Sequence, residues 1–389
     1  MMKNYLLAPG PTPVPERVAA ILGMPIPHHR TPGFEKVFSE VRAGLKWVFQ
    51  TEQEVIMLTC TGTGAMEAAV SNLFKRGQKV ITVNTGKFGE RWTKVAQSYE
   101  LAVLEIKLPP GLPFDPAILE EVCAANPDAE AILFQASETS TGSRMPVSDI
   151  VGLAKKYKML SVCDAITALG VFDLPMDAWG IDVLITGSQK AMMIPPGLAF
   201  IALSETAWKK TAESDLPKFY FNLAKEKKAH LTNQTAWTPA ISLIMGLHES
   251  LKMMKEEGLE KLFKRHELLA LATRNAVKAL GLDVLSAKSP SPAVTAVLVP
   301  PSVKEGKKIP KLMRDKYGVT IAGGQDELEG KIFRLSHFGY CSYFDITTGI
   351  SCLELVLAEL GHPVNFGAGV GAVLKTFADD EIKSGGLKI

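Results

Sequence analysis

The segment Asp182-Val-Leu-Ile-Thr-Gly-Ser-Gln-Lys190 runs from apolar, strand-forming residues through a small polar turn to a single lysine. Ala-Met-Met-Ile-Pro195-Pro-Gly197 follows it, and the two prolines prevent an ordinary helix from continuing there. A lysine on an exposed helix surface is the commonest arrangement in proteins. The pattern here instead places Lys190 in a turn directly after a predicted strand.

A second apolar segment, upstream of the first, ends on an acidic residue. Met159-Leu-Ser-Val-Cys-Asp164 is predicted to be a short strand that terminates at its aspartate. A lysine that forms an imine and an aspartate that pairs with a pyridinium nitrogen are the two protein groups that pyridoxal phosphate (PLP) chemistry requires. The aspartate keeps the ring nitrogen protonated, so that the ring withdraws electrons from the substrate's α-carbon. Asp164 and Lys190 together therefore predict a PLP site.

Length and composition limit the number of domains and the class of protein. With 389 residues, of which 47% are hydrophobic and 22% charged, the chain is predicted to form one large domain and one smaller domain. The formal net charge of +2 lacks the basic excess of nucleic-acid-binding proteins. No run approaches the roughly 18 apolar residues of a membrane span. We therefore expect a soluble, cytoplasmic protein without nucleic-acid or membrane partners.

The cysteines argue against covalent or metal cross-links. They are scattered, odd in number and form no C-x-x-C pair, so neither a disulfide framework nor a metal site is predicted. Their positions are Cys60, Cys123, Cys163, Cys341 and Cys352.

Short apolar strands alternate with helical segments from residue 54 onward. This alternation predicts a mainly parallel sheet covered by helices on both faces, in which ligands bind beyond the carboxyl ends of the strands. The predicted strands are Val55–Thr59, Val80–Val83, Ala102–Ile106, Ala131–Gln135, Leu160–Cys163 and Val183–Thr186.

The loops at these strand ends contain the unusual residues. Thr59-Cys-Thr-Gly-Thr-Gly64 opens a predicted helix, where backbone N–H groups can approach a phosphate. Asn84-Thr-Gly-Lys-Phe-Gly-Glu-Arg91 holds an aromatic ring that could lie over a planar cofactor, and Glu138-Thr-Ser-Thr-Gly142 offers hydroxyl groups. Turn or capping chemistry would explain each loop singly. All three, however, follow successive strands, at the same sheet edge as Asp164 and Lys190.

Taken in order, these motifs resemble the class V PLP-dependent aminotransferases of fold type I, and most closely their alanine–glyoxylate and serine–pyruvate branch. The resemblance implies an α/β fold: a large domain with a mainly parallel sheet flanked by helices, and a small α+β C-terminal domain. It implies an N-terminal arm at residues 1–20, a large PLP-binding domain at 21–262 and a small domain at 263–389. The matching segments are Gly62–Ala69, Asn84–Arg91, Glu138–Gly142, Val162–Ala165, Gly187–Lys190 and Pro195–Ala199.

The resemblance also assigns residues to the cofactor. Lys190 would bind PLP covalently and then transfer protons, and Asp164 would pair with the ring nitrogen. The other cofactor-binding positions are Thr61, Gly62, Thr63 and Gln189 at the phosphate, Phe88 stacked on the ring, Thr139 near the ring oxygen and Ile166 beneath the ring.

Three further segments match parts of the family that bind substrate or the partner subunit. Arg334, on a predicted strand, matches an arginine that holds the substrate α-carboxylate, for which a guanidinium fork is well shaped. Pro9 and Gly10 belong to a proline-rich arm that closes over the substrate in the family. Thr235 and Thr238 match a segment that reaches the neighbouring subunit's phosphate, which implies a homodimer with shared active sites.

The activity implied is transfer of the amino group of a small L-amino acid, alanine or serine, to glyoxylate or pyruvate, in a ping-pong reaction through pyridoxamine phosphate. The alternatives are an aspartate or phosphonate-type aminotransferase, a PLP lyase or cysteine desulfurase with Cys341 as its thiol, and a non-catalytic assembly subunit. A Rossmann dehydrogenase is disfavoured, because Thr61-Gly-Thr-Gly64 lacks the third glycine. The sequence assigns no role to His28, His29 or Arg30.

Overall fold

The computed structural model describes residues 3–384 and 386. Within this range the strands are β1 (Tyr5–Leu6), β2 (Val55–Leu58), β3 (Lys79–Asn84), β4 (Ala102–Lys107), β5 (Ala131–Gln135), β6 (Ser137–Glu138), β7 (Ser143–Arg144), β8 (Leu160–Asp164), β9 (Val183–Gly187), β10 (Ala199–Leu203), β11 (Val294–Leu298), β12 (Val319–Thr320), β13 (Ala322–Gly323) and β14 (Ile332–Ser336). The helices are α1 (Glu16–Leu22), α2 (Pro32–Phe49), α3 (Gly62–Leu73), α4 (Lys87–Ser98), α5 (Pro116–Ala125), α6 (Val147–Lys156), α7 (Met176–Trp179), α8 (Glu205–Thr211), α9 (Leu223–His230), α10 (Ile241–Glu257), α11 (Leu259–Ala279), α12 (Lys308–Tyr317), α13 (Tyr343–Glu359) and α14 (Ala368–Lys383).

A seven-stranded sheet with the order β2-β10-β9-β8-β5-β3-β4 forms the centre of the large domain. Strand β10 runs antiparallel to both of its neighbours, and the other strand pairs are parallel. The six strands predicted from the sequence are present, each to within one residue at either end. The predicted fold class, an α/β chain with a mainly parallel sheet, is therefore confirmed.

Both faces of this sheet are buried, as the sequence pattern indicates. Side chains alternate along β5, so that Ile132 and Phe134 pack into one layer and Leu133 into the other. Helices α2 and α10 contribute to the first layer, and α3 and α4 to the second. Since both faces are covered by helices, ligands have access to the sheet at its strand ends.

Strand β10 was not predicted from the sequence. The turn Pro195-Pro-Gly197 reverses the chain after Lys190, and the hydroxyl of Ser188 bonds across the turn to the carbonyl of Pro195 at 2.7 Å. The reversed chain then enters the sheet beside β9, with Ala199 opposite Gly187. The same turn therefore adds the antiparallel strand and fixes the loop that carries Lys190.

A second, smaller core lies in the C-terminal part of the chain. The strands β11, β14 and β13 form an antiparallel sheet in that order, and Arg334, predicted to lie on a strand, belongs to β14. Phe333 of β14 packs with Leu269 of α11 and Leu353 of α13. Helix α11 passes through the predicted boundary between residues 262 and 263, so the division into domains at that point stays a prediction. Within the described residues, no helix is long and apolar enough to cross a membrane.

The N-terminal arm links the two cores. Strand β1 pairs in parallel with β12, and the carbonyl of Leu7 accepts a hydrogen bond from Ser336 N at 2.8 Å. A few residues later the hydroxyl of Thr12 donates to the carbonyl of Lys190, also at 2.8 Å. The arm is thus attached to the small sheet at one end and to the lysine loop at the other.

Candidate active site

The first strand-end loop of the large sheet is shaped to approach a ligand closely. Helix α3 begins at Gly62, and Thr61 precedes it without a capping hydrogen bond from its side chain. A Cβ added at Gly62 would lie 2.3 Å from Cδ1 of Ile166, so a larger residue there would require the Ile166 side chain to move. Thr61 and Thr63 are exposed. The N-terminus of α3 therefore presents N–H and hydroxyl groups in the arrangement that binds phosphate.

Asp164 lies at the end of β8, in the middle of the sheet. Its carboxylate is buried and accepts a hydrogen bond from Ile166 N at 2.8 Å. Burial raises the pKa of Asp164 to about 6, although the Ile166 N–H and the charge of Arg91 act in the opposite direction. A carboxylate that has lost its water in this way gains from a cationic partner, such as a protonated ring nitrogen.

Lys190 lies on the loop after the neighbouring strand β9. Its side chain is buried, and Nζ donates a hydrogen bond to the carbonyl oxygen of Pro9. Burial lowers the pKa of Lys190 to about 8; the carboxylate of Asp164 opposes this shift, while Arg334 and Arg91 add to it. A lysine that is partly neutral near physiological pH is suited to nucleophilic attack and to proton transfer.

The arm is seated directly against this lysine. Gly10 has φ = +122°, a conformation that favours glycine, and a Cβ added there would lie 2.3 Å from Nζ of Lys190. Thr12 N donates to the carbonyl of Gln189 at 3.1 Å, which secures the next part of the arm. Pro9 and Gly10, which are predicted to contact substrate, therefore lie against the amine of Lys190.

Arg334 reaches the site from the small domain. It lies on β14 and is buried, with Nε donating to the carbonyl of Gly323 at 3.0 Å and Nη1 to the carbonyl of Thr139 at 3.1 Å. Burial lowers the pKa of Arg334, and the charge of Glu138 opposes that shift. Because carbonyl oxygens carry no net charge, the guanidinium can still bind an anionic carboxylate.

The loop after β5 contacts Arg334, the loop after β8 and the start of α4. The hydroxyl of Thr139 shares a hydrogen bond of 2.7 Å with that of Thr167, while its carbonyl holds Arg334. The adjacent Glu138 is buried and accepts hydrogen bonds from Gly89 N at 3.0 Å and Phe88 N at 3.2 Å, at the positive end of α4. Burial raises the pKa of Glu138. Sequence reasoning missed this residue, although an acid at a strand end was the signal that identified Asp164.

Phe88 and Arg91 lie on the first turn of α4. The guanidinium carbon of Arg91 is 4.9 Å from the centre of the Phe88 ring, and Nη1 donates to the Thr63 hydroxyl at 3.0 Å. This contact connects the predicted stacking ring to the predicted phosphate loop. Arg91 belongs to the segment Asn84–Arg91, in which the sequence assigned a role to Phe88 but none to the arginine.

Gln189 provides a test of whether PLP fits these residues. Its Oε1 atom is buried and has no hydrogen-bond partner among the residues that the structure describes. Both this atom and Gly62 N lie close to Gly187, at 3.1 Å and 3.5 Å from a Cβ added there. An unsatisfied acceptor beside the N-terminus of α3 indicates a site built for a polar ligand, and the Nε2 group of the same amide can donate to a phosphate oxygen. The phosphate loop, Asp164 and Lys190 supply the complementary groups for PLP, so the residues fit the cofactor.

Comparison with known proteins now identifies the family. The family model "Aminotransferase class-V" matches residues 5–329. The chain belongs to the class V aminotransferases. Members of this family use PLP as their cofactor, in agreement with the site described above.

Individual relatives match this class V aminotransferase over nearly its full length. The soluble hydrogenase 42 kDa subunit of Anabaena cylindrica is 43% identical, over 97% of this chain and 99% of the relative. The L-aspartate–glyoxylate aminotransferase of Paracoccus denitrificans is 33% identical, over 95% of each chain. The crystal structure of ureidoglycine–glyoxylate aminotransferase from Bacillus subtilis superposes with a TM-score of 0.92 at 26% identity, covering 97% of this chain and 98% of that one.

Two predicted cofactor residues of this aminotransferase, Thr235 and Thr238, lie between α9 and α10. The hydroxyl of Thr235 donates to the carbonyl of Trp237 at 2.5 Å, and Thr238 is exposed. Neither forms a hydrogen bond with the other predicted site residues, all of which are in the described part of the chain. Next to them Tyr220 stacks on Trp237 with ring centres 5.8 Å apart, and Phe219 is 77% exposed. Within one chain this segment forms an aromatic surface.

The residues that the sequence left without a role form an exposed turn before α2. The rings of His28 and His29 stack with their centres 4.6 Å apart, and Arg30 Nε donates to His29 Nε2 at 3.4 Å. These contacts are local to the turn. Across residues 3–384 and 386, no group of three or more His, Cys, Asp or Glu residues is placed to hold a metal ion.

Proposed function

We propose that this class V aminotransferase moves the amino group of a small L-amino acid, alanine or serine, to glyoxylate or pyruvate. The observation that carries the proposal is the convergence of three buried groups. Lys190 has a pKa near 8, and the charges of Asp164 and Arg334 both act on it. These three groups support a site with a nucleophilic amine, a carboxylate for the ring nitrogen and a guanidinium for the substrate carboxylate.

Each residue has a distinct task in this proposal. PLP, when bound, supplies an aldehyde for the amino group and a ring that withdraws electrons from the α-carbon. Lys190 carries and releases a proton at Nζ, which the Pro9 carbonyl orients. Asp164 keeps the ring nitrogen protonated, and Arg334 holds the α-carboxylate so that the α-proton faces Lys190. The arm at Gly10 limits access of water to the amine.

The relatives support glyoxylate as the acceptor more strongly than they support alanine or serine as the donor. Two of the three relatives named above are glyoxylate aminotransferases. The Paracoccus relative uses L-aspartate, so an aspartate donor remains the leading alternative. The Anabaena relative is called a hydrogenase subunit. The set Lys190, Asp164 and Arg334 supports transamination for the present chain, because a non-catalytic subunit has no physical need of all three.

A cysteine desulfurase activity is less well supported. Cys341, the thiol considered for that role, is buried, and burial raises its pKa above the ordinary range. A buried, protonated thiol is a poor nucleophile.

The proposal includes a homodimer whose active sites are shared and a cytoplasmic location. The exposed aromatic rings beside Thr235 and Thr238 support a subunit interface, since such patches usually become buried. The five cysteines are free thiols, as is usual in a reducing compartment. Phe219→Glu should give monomers in light scattering and weaken PLP retention, whereas Phe366→Glu, at a ring that is 61% exposed elsewhere, should do neither. A dimer that survives Phe219→Glu would place the interface elsewhere.

The visible absorbance spectrum tests the activity. Purified protein with added PLP should show an absorbance band from the lysine-bound cofactor, and Lys190→Ala should lack it. L-alanine or L-serine should convert this band to that of pyridoxamine phosphate, and glyoxylate or pyruvate should restore it. Absence of the band even with added PLP would refute the cofactor assignment. If only L-aspartate converted the band, the amino donor would be L-aspartate and not alanine or serine. Sulfide release with L-cysteine would indicate a desulfurase.

A further inference from the structure

Arg91 lies where the predicted ring-stacking residue meets the phosphate loop. Its guanidinium rests on the ring of Phe88 at 4.9 Å and donates to the hydroxyl of Thr63 at 3.0 Å. The first contact is within the same helix, α4, whereas the second reaches the first turn of α3. Arg91 therefore joins the two strand-end loops that would enclose opposite parts of a bound cofactor.

The charge of Arg91 acts inside the site. It lowers the pKa values of Asp164 and of Lys190, in each case as a smaller influence than burial. The side chain itself is half-buried. The guanidinium is therefore close enough to the cofactor-binding groups for its field to be felt by them, with incomplete screening by solvent.

The other groups at the phosphate loop are neutral. Thr61 and Thr63 offer hydroxyls, the start of α3 offers N–H groups, and Gln189 offers an amide. A phosphate monoester carries a charge of about −1.5 to −2 at pH 7. Lys190 cannot balance it, because its amine is committed to the cofactor's aldehyde. A full positive charge at this end of the site would therefore contribute substantially to binding.

We propose that Arg91 is a cofactor-binding residue that places a positive charge against the phosphate of PLP. The proposal rests on the assigned PLP cofactor and adds a residue that neither the sequence motifs nor the family resemblance had given a role. An arginine suits the task better than a lysine, since its planar fork can contact Thr63, an aromatic face and an anion at once.

A comparison of two ligands separates the phosphate contact from a merely structural role. Cofactor-free wild type, Arg91→Gln, Arg91→Lys and Lys94→Gln would be titrated with PLP and with pyridoxal, which lacks the phosphate, and followed by tryptophan fluorescence and the visible band. Lys94 is the matched control: it lies on the same helix, is 62% exposed and pairs with Glu90 at 2.8 Å. Circular dichroism and thermal unfolding would show that each variant is folded.

Arg91→Gln should weaken PLP binding about 10- to 100-fold, the range for a charge-assisted contact, and change pyridoxal binding little. Arg91→Lys should fall between wild type and Arg91→Gln, and Lys94→Gln should match wild type. Equal losses for both ligands would overturn the phosphate contact and leave a structural role only; no loss for either would overturn the whole proposal. If wild type and Lys94→Gln also failed to bind PLP, the cofactor assignment itself would fall, a result distinct from failure of the Arg91 variants alone.

Discussion

Lys190 and Arg334 are both buried cations of one site, yet burial has different consequences for them. Lys190 lies on a loop of the large domain, and its pKa falls to about 8. Arg334 lies within a strand of the small domain, and although burial lowers its pKa too, a guanidinium is basic enough to stay charged. The same loss of solvent therefore leaves a partly neutral amine on one side and a permanently charged guanidinium on the other.

In the proposed function, this difference divides the site into a cofactor half and a substrate half. Asp164, Lys190 and the phosphate loop belong to the large sheet, whereas Arg334 comes from β14. The arm, attached to both, fixes their separation through Leu7 and Thr12. Substitutions should accordingly have different kinetic effects depending on the half in which they lie.

The largest effect is expected in the cofactor half, from Asp164→Asn. Loss of the charge opposite the ring nitrogen should lower kcat about 100-fold or more, with little change in KM for the amino acid, because the lost interaction acts on the reacting state. Steady-state kinetics at saturating PLP would measure this. Asp149→Asn, at an exposed position of α6, is the control and should leave kcat unchanged. An unaltered kcat in Asp164→Asn would remove Asp164 from the cofactor half.

The next largest effect is expected in the substrate half. Arg334→Gln should lower kcat/KM about 10- to 100-fold, mainly through a higher KM, since a charge-assisted contact with the α-carboxylate is lost. The visible absorbance band of bound PLP should stay the same. Arg334→Lys keeps the charge but loses the planar guanidinium. Its kcat/KM should therefore lie between those of wild type and Arg334→Gln. Loss of the PLP band in Arg334→Gln would show that the two halves are not separate.

Gly10→Ala tests the arm that joins the halves. The added Cβ would lie 2.3 Å from Nζ of Lys190, at a backbone φ of +122°. Strain of about 1–3 kcal/mol should lower the rate of transamination roughly tenfold or displace the arm. Gly33→Ala is the control, since a Cβ there meets no atom within 4 Å. Equal activity of Gly10→Ala and wild type would mean that the arm does not enclose the amine.

The pKa of Lys190 can be measured through cofactor capture. Only the neutral amine attacks the aldehyde, so the rate at which cofactor-free protein binds PLP covalently should rise with pH through about 8 and then level off. Between pH 7 and pH 9 the expected increase is about tenfold, from the neutral fraction of a group with that pKa. Stopped-flow absorbance would measure the rate of covalent PLP binding at each pH. A rate that continued to rise toward pH 10.5 would indicate an ordinary, solvated lysine.

The smallest effect is expected where the halves meet at the surface. Lys87 of α4 pairs with Asp326 of the small domain at 2.6 Å, and both side chains are substantially exposed. Exposed ion pairs contribute little, so Asp326→Asn should raise KM by no more than about threefold, and less at high salt. Asp379→Asn, which breaks an exposed pair with Lys375 on α14, is the control. A tenfold rise in KM would instead make this pair part of domain closure.

The sequence by itself determined the strands of the large sheet, because runs of apolar residues between turn signals are local features. It also placed Asp164 and Lys190, since each follows a recognisable strand, and parallel strands end at one edge of a sheet. The antiparallel β10 escaped prediction because its direction depends on a chain reversal at Pro195–Gly197. Helix α3 begins at Gly62, so the last residues of the segment Thr59–Gly64 form its first turn and not only the loop before it.

Only the tertiary structure decided which side chains share the site across long distances in sequence. The carbonyl of Pro9 meets Lys190, Glu138 caps the helix that carries Phe88, and Arg91 bonds to Thr63. None of these contacts leaves a periodic or compositional trace, because each depends on how separate elements pack against one another. The burial that lowers the pKa of Lys190 is likewise a property of the packed molecule. The presence of a lysine in the turn after β9, by contrast, can be recognised from the sequence.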